Sequence, residues 1–225
     1  MTKKVIVTGA SSGIGNETVK LLLNTGWQVY GLSRREIELD DDNFTNLTVD
    51  LNDQEELAST LDKIGKVDAI VHAAGKMESA DLGQLDVEKS ADLWWLHVHV
   101  AEILANYYAD KLPSGGRIVL VGSRTSRGVA GRSQYVATKA ALVGMARSWA
   151  AELASKGITV NVIAPGATAT PMLLQPERKS SPPKMPPIGR FIEPSEVAHL
   201  INFVLSPQAG AITGQELVIC GGASL

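Results

Sequence analysis

Val5-Ile6-Val7-Thr8-Gly9-Ala10-Ser11-Ser12-Gly13-Ile14-Gly15 is a short β-branched run that meets a Gly/Ser loop, and the loop enters an amphipathic segment ending near Leu23. The pattern predicts a strand, a tight turn and a helix start. Glycines let a backbone turn sharply and approach phosphate oxygens, because no Cβ intervenes. The free N–H groups and positive dipole end of the next helix favour an anion, so a dinucleotide pyrophosphate can sit here. The spacing is T-G-x-x-x-G-x-G rather than G-x-G-x-x-G, and a glycine turn between strand and helix is often only a turn. The rest of the chain has to decide.

Outward from this stretch, strand-like and helix-like segments alternate almost to the end. That is the pattern of an α/β, doubly wound parallel sheet, Rossmann-like, with helices on both faces. Strands are expected at 4–7, 28–32, 46–49, 67–72, 117–121, 159–163 and 217–220. Helices are expected after the glycine loop, after an Asp50-Leu51-Asn52-Asp53 cap, over 87–111, over 134–155 and over 194–205. Residues 171–190 break the alternation with Pro171, Pro176, Pro182, Pro183, Pro186 and Pro187, too many for a helix or central strand. A loop of that length reads as a substrate loop or lid. The expectation is one domain, 1–225, with this proline-rich loop at about 171–190.

The bulk numbers narrow the class. A chain of 225 residues, 44% hydrophobic and 20% charged, suits one soluble domain. A net charge of −3 argues against a general nucleic-acid or anionic-membrane binder. No apolar run approaches the roughly 20 residues of a membrane span. No signal segment is visible before the first strand, so a cytoplasmic location is expected. The single cysteine, Cys220, excludes an intrachain disulfide and a cysteine metal cluster, and no metal site is expected.

Tyr135-Val136-Ala137-Thr138-Lys139 lies in the alanine-rich helical segment, so tyrosine and lysine stand at i and i+4 and share a face. A tyrosine hydroxyl, with a reference pKa of about 10, is a poor base at neutral pH. A neighbouring ammonium favours the phenolate and brings the group nearer to acid–base work. Such pairs also occur on plain solvated helix faces. What distinguishes this one is its company: Thr8-Gly9-x-x-x-Gly13-x-Gly15, Ala73-Ala74-Gly75, Ser123, Tyr135-x-x-x-Lys139 and Pro165-Gly166, in that order. Order and spacing together resemble the short-chain dehydrogenase/reductase family over nearly the whole chain, from Thr8 to Gly221-Gly222.

The resemblance implies a hydride transfer between a nicotinamide cofactor and a carbonyl or alcohol. Tyr135 is then the acid/base, Lys139 holds the nicotinamide ribose and lowers the tyrosine pKa, and Ser123 polarises the carbonyl oxygen. Twelve residues separate Ser123 from Tyr135, which suits the pairing, and Ser126 and Ser133 rank lower because they lie past the strand end. Gly9, Ser11, Ser12, Gly13, Ile14 and Gly15 form the phosphate loop. Asp50 and Leu51 match the adenine contacts, and Ala73, Ala74 and Gly75 line the adenosine ribose side. Pro165, Gly166, Thr168 and Thr170 match positions that hold the nicotinamide carboxamide and phosphates. The family also implies a homo-oligomer, tetramer or dimer.

Two departures stand out. The strand-four motif of the family begins with paired asparagines, and here it reads His72-Ala73. The long helix of the family carries a relay asparagine in Asn-Leu context, and here His99-Val100 stands there. A histidine can donate and accept, so His99 is the expected relay residue, held neutral by Lys139, with His97 on another face. At the end of strand two, an acid binds a ribose 2′-hydroxyl whereas an arginine welcomes a 2′-phosphate. Ser33-Arg34-Arg35 therefore predicts NADP(H) over NAD(H), with NAD(H) still possible. Arg124, Arg127, Arg132, Arg178, Lys179, Lys184 and Arg190 form a basic excess that can steer an anionic substrate. Two other functions fit less well: a cofactor-binding regulator without turnover, against which Ser123, Tyr135 and Lys139 speak, and an epimerase or dehydratase, whose glycine spacing and C-terminal region differ.

Overall fold

A strand whose successive side chains are all apolar has no face to give to water and belongs inside a sheet covered on both sides. The segment Lys4–Thr8 (β1) is such a strand, with Val5, Ile6 and Val7 fully buried. The computed structural model, which describes residues 2–174 and 182–225, places it inside a seven-stranded, wholly parallel sheet. Its companions are β2 (Gln28–Ser33), β3 (Phe44–Thr48), β4 (Ala69–His72), β5 (Arg117–Val121), β6 (Thr159–Pro165) and β7 (Glu216–Ile219). Their order is β3-β2-β1-β4-β5-β6-β7. The chain winds one way from β1 to β3, returns to β4 beside β1, and winds the other way. That reversal opens a crevice at the C-terminal strand ends, where sheets of this kind take ligands.

The helices are α1 (Gly13–Asn24), α2 (Gln54–Ile64), α3 (Val87–Trp94), α4 (Val100–Tyr108), α5 (Ser133–Leu153) and α6 (Pro194–Leu205). Strand periodicity divides the core into two layers. Ile6, Ile70, Ile118 and Leu120 meet Leu57, Leu61, Leu104 and Leu142 on the face of α2, α4 and α5. Val5, Val7, Val71 and Val119 meet Val19, Leu22, Val197 and Ile201 on the face of α1 and α6. Each such side chain contributes about 1.5–3 kcal/mol by leaving water. Among the described residues no helix is long and apolar enough to cross a membrane.

Most element ends shift by one or two residues from the sequence expectation, as at β4, which starts at Ala69, and three differences have a clear physical setting. β3 begins at Phe44, because Phe44 pairs with Val29 and lays its ring on Gly31, where a Cβ would stand 2.8 Å from it. The segment expected as one long helix is divided by a π-helical turn, Trp95–His99, in which the Val100 N–H reaches back to the Trp95 carbonyl. In the proline-rich stretch Pro171–Leu174 makes one 3-10 turn, and Pro176, Arg178 and Lys179 lie outside the described residues.

Candidate active site

The ends of β1, β4, β5 and β6 converge on a cleft of about 500 Å³. Thr8, fully buried at the end of β1, braces its wall from behind. The Thr8 hydroxyl accepts the Ala73 and Ala74 N–H groups at 3.2 and 3.1 Å, tying the strand-four turn to the glycine loop. That loop is close-packed: a Cβ on Gly9 would stand 2.9 Å from the Ala74 backbone, and one on Gly15 would collide with the Gly9 carbonyl. Gly9 and Gly13 also take positive φ, 70° and 54°, which L side chains resist. Across the cleft, Thr170 rests its methyl group against Gly13, and the Thr168 hydroxyl donates to the Gly166 carbonyl at 3.1 Å.

At the other end lie Ser123, Tyr135 and Lys139, all buried. Ser123 caps a 3-10 turn, Arg124–Arg127, and its Oγ accepts the Thr125 N–H at 3.2 Å and lies 2.8 Å from the Thr125 hydroxyl. Lys139 Nζ donates to the Val121 carbonyl at 2.9 Å and stands 5.7 Å from the centre of the Tyr135 ring. Complete burial pushes its pKa down to about 7.

Two histidines are buried here, His97 in the cleft wall and His72 at the end of β4, and the carbonyl and N–H groups they meet fix their tautomers. The Leu96 carbonyl can only accept, so His72 carries its proton on Nε2, 3.1 Å away, and Nδ1 accepts from Thr8 at 2.9 Å. The Lys76 N–H can only donate, so His97 presents a bare Nε2 to it at 3.1 Å. The His97 proton is then on Nδ1, facing the Thr138 hydroxyl at 2.8 Å. Burial first, and the Lys139 charge second, push His72 down to about 3 and hold His97 well below the usual imidazole range.

The comparisons with known proteins agree with this architecture. A family model described as enoyl-(acyl carrier protein) reductase matches residues 9–224. A 3-oxoacyl-[acyl-carrier-protein] reductase of Vibrio cholerae is 33% identical over 235 residues, covering 98% of this chain and 96% of the relative. A carbonyl reductase family member 4 of Danio rerio is 35% identical, covering 100% and 99%. A short chain dehydrogenase family protein of Francisella tularensis superposes with a TM-score of 0.91 at 27% identity, covering 100% and 99%. The chain belongs to the short-chain dehydrogenase/reductase family.

As an oxidoreductase of that family it is expected to bind a nicotinamide cofactor, and the glycine end of the cleft fits one. The first turn of α1 holds no acidic residue, and its N-cap, Ser12, makes no side-chain capping bond, so the N-terminal N–H groups are left for an anion. Gly13, Ile14 and Gly15 carry those groups on the cleft wall. This short-chain dehydrogenase/reductase brings most of the residues singled out from sequence to one place: Gly9, Ser12, Gly13, Ile14, Gly15, Ala73, Ala74, Gly75, Ser123, Tyr135, Lys139, Pro165, Gly166, Thr168 and Thr170 all line the cleft.

Others stand outside it. Ser11 accepts a hydrogen bond from Arg35 at 3.3 Å. Ser33 is buried and donates to the Arg35 carbonyl at 2.6 Å, while Arg34 is exposed. Asp50 binds Asn52 through its carboxylate, and the buried Leu51 accepts the Trp95 indole N–H at 2.9 Å. Both follow β3 rather than lining the cleft wall. Of the basic residues, Arg124, Arg132 and Lys184 line the cleft, whereas Arg190 is held by Glu196 at 2.6 Å and Arg127 faces Glu216 at 3.7 Å. Ser126 also goes to Glu216.

One sequence expectation is corrected. His99 is half exposed, pairs with Glu102 at 2.8 Å and tilts against Trp95, away from the cleft. The cleft histidine is His97. Residues two apart on a helix point about 200° apart, so only one of the two can face the site. The π-helical turn carries an extra residue, and this shifts which one it is. Thr125 and Thr138 were also missed from sequence. Thr138 had a signal, its place beside Lys139 on the helix, whereas Thr125 had none.

Proposed function

We propose that this short-chain dehydrogenase/reductase transfers a hydride between NADP(H) and a carbonyl or secondary alcohol, with NAD(H) as the poorer cofactor. The observation that carries the reading is the Tyr135–Lys139 pair, buried in the cleft opposite an uncapped, glycine-walled helix N-terminus. The bound nicotinamide supplies or accepts the hydride.

The chain's own residues hold the oxygen and move the proton. In the reducing direction Tyr135 gives its hydroxyl proton to the carbonyl oxygen as negative charge gathers there. With the Thr125 N–H and the Thr125 hydroxyl both donating to Ser123 Oγ, the Ser123 hydroxyl hydrogen is left for the same oxygen. Lys139 in its charged form favours the tyrosinate that results and holds the ribose hydroxyls. Gly9 to Gly15 take the pyrophosphate, Arg34 the 2′-phosphate, and Asp50 and Leu51 the adenine side. Thr168 and Thr170 serve the carboxamide side.

The curated relatives act on 3-oxoacyl groups and carbonyls by name, and a ketone is therefore the substrate class to try first. A panel of ketones and aldehydes, including a 3-oxoacyl thioester, followed by nicotinamide absorbance with NADPH and NADH, tests the reading. Cofactor binding without oxidation by any member would reject it in favour of a cofactor-binding regulator.

A further inference from the structure

His97 has no part in the hydride or proton transfer described above, yet it is fully buried and fully bonded. Its bonds run in one direction. The Lys76 N–H donates to Nε2, Nδ1–H donates to Thr138, and the Thr138 hydroxyl donates to the Tyr135 carbonyl at 2.9 Å. No link can be reversed, since the first group only donates and the last only accepts. The ring stands against the Tyr135 ring at 86°, centroids 5.6 Å apart, an edge-on contact that favours one orientation of both. The ring lies against the backbone at a position that only glycine fits without displacement, since a Cβ on Gly75 would lie 3.0 Å from Nε2 and 3.7 Å from Lys139 Nζ.

We propose that His97 is the positioning residue of Tyr135: an imidazole locked in its Nδ1–H tautomer between Lys76 and Thr138, which fixes the tyrosine ring and its helical turn relative to Lys139. The proposal rests on Tyr135 being the acid/base. Burial disfavours a charged imidazole, and the groups facing the ring, Lys139, Lys76, His72 and Tyr135, add to this through their three basic members. A second proton on Nε2 would also point at the Lys76 N–H and break the chain. His97 thus holds geometry and exchanges no proton in turnover.

The test uses the full chain with the best ketone of the panel. Thr138→Val keeps the branched shape and removes only the hydroxyl link. We expect kcat to fall about tenfold, with KM and cofactor Kd within about twofold, because a small misplacement of a catalytic group is felt in the chemical step. His97→Leu should lower kcat further, and the double variant should be no worse than His97→Leu alone, because both cut one chain. The pH limb of kcat that reports Tyr135 should move in both, a shift that loss of stability alone does not produce. His97→Asn, whose amide can donate to Thr138, should recover part of the rate. Wild-type kcat and an unmoved limb in Thr138→Val and His97→Leu overturn the proposal. If His97→Leu does not fold, Thr138→Val decides alone. Tyr135→Phe is the control: if it too stays active, the acid/base reading has failed, whereas an inactive Tyr135→Phe beside fully active Thr138→Val isolates the failure to His97.

Discussion

The inner wall of the cleft and its outer rim at β2 are built on opposite terms. In the inner wall His97 and Lys139, and behind it His72, Thr8 and Thr138, are buried, and each makes hydrogen bonds that few other residues could make. At the rim Arg34 and Arg35 are exposed, and the contact of Arg35 with Ser11 is a single bond of 3.3 Å. A buried polar group left without a partner costs about 1–3 kcal/mol, whereas an exposed charge pair is worth about 1 kcal/mol or less. The inner wall therefore commits the chain to one geometry, and substitutions at the exposed rim should change affinity without disturbing the fold. Substitutions should separate the two.

The largest effect belongs to the inner wall. Tyr135→Phe removes one hydroxyl, so kcat should fall by about 10²–10⁴, the range of a lost acid/base, while the fold and cofactor affinity survive. Steady-state kinetics beside a cofactor titration check this, and a variant keeping most of its rate sinks the mechanism. The reducing direction also carries a pH signature. Lys139 gains its charge as pH falls through about 7, and its charged form is the one that favours the tyrosinate, so reduction should slow as pH rises above about 7.

The second effect is on stability. His72 is pushed from 6.5 down to about 3, so between those values the unfolded chain binds a proton that the folded chain refuses. Stability is then complete above pH 6.5 and declines as pH falls toward 3, at up to about 1.4 kcal/mol per pH unit for each such histidine. His97 adds to the same slope. His72→Asn should be less stable than wild type at pH 7.5, because the Leu96 carbonyl loses its donor, and should show a shallower acid decline. Urea midpoints from pH 7.5 to 5 measure both, and parallel slopes in the two proteins would refute the assignment.

These contrasts also explain what could be read before any coordinates. The glycine loop, the alternation and Tyr135-x-x-x-Lys139 are local patterns, and each is imposed by a backbone or helix period that sequence displays directly. The sheet, its reversal at β4 and the shared cleft edge follow from them. His97 was not legible in this way. Both His97 and His99 sit in one amphipathic stretch, and the π-helical turn that chooses between them leaves no fixed sequence mark. Arg35 reached the glycine loop through a bend after β2 that periodicity cannot describe. Thr125 entered the site through a 3-10 turn capped by Ser123.

The rim gives the third effect. Arg34→Ala and Arg35→Ala should each weaken NADP(H) by about three- to tenfold, through loss of a charge-assisted contact to the 2′-phosphate, and change NAD(H) little. The double variant should bring the two cofactors close to parity, with an unchanged melting temperature. Equal affinity for both cofactors in the wild type would end the claim.

The smallest effect is at the substrate end. Arg124 and Lys184 line the cleft with no ion-pair partner among the described residues, and Lys76, also in the wall, is tied to Asp92 at 2.9 Å. No carboxylate appears among the described residues of that wall. A ketone carrying a negative charge should therefore be drawn in, but through water and at a partly exposed guanidinium. We expect 4-oxopentanoate to exceed its methyl ester in kcat/KM by only about two- to fivefold at low salt, and the preference to fade near 0.5 M salt, where screening acts within about 4 Å. Arg124→Ala should abolish the preference. Arg190→Ala should leave it intact, because that guanidinium already spends its charge on Glu196. A preference that survives Arg124→Ala, or that ignores salt, would show that shape and not charge admits the substrate.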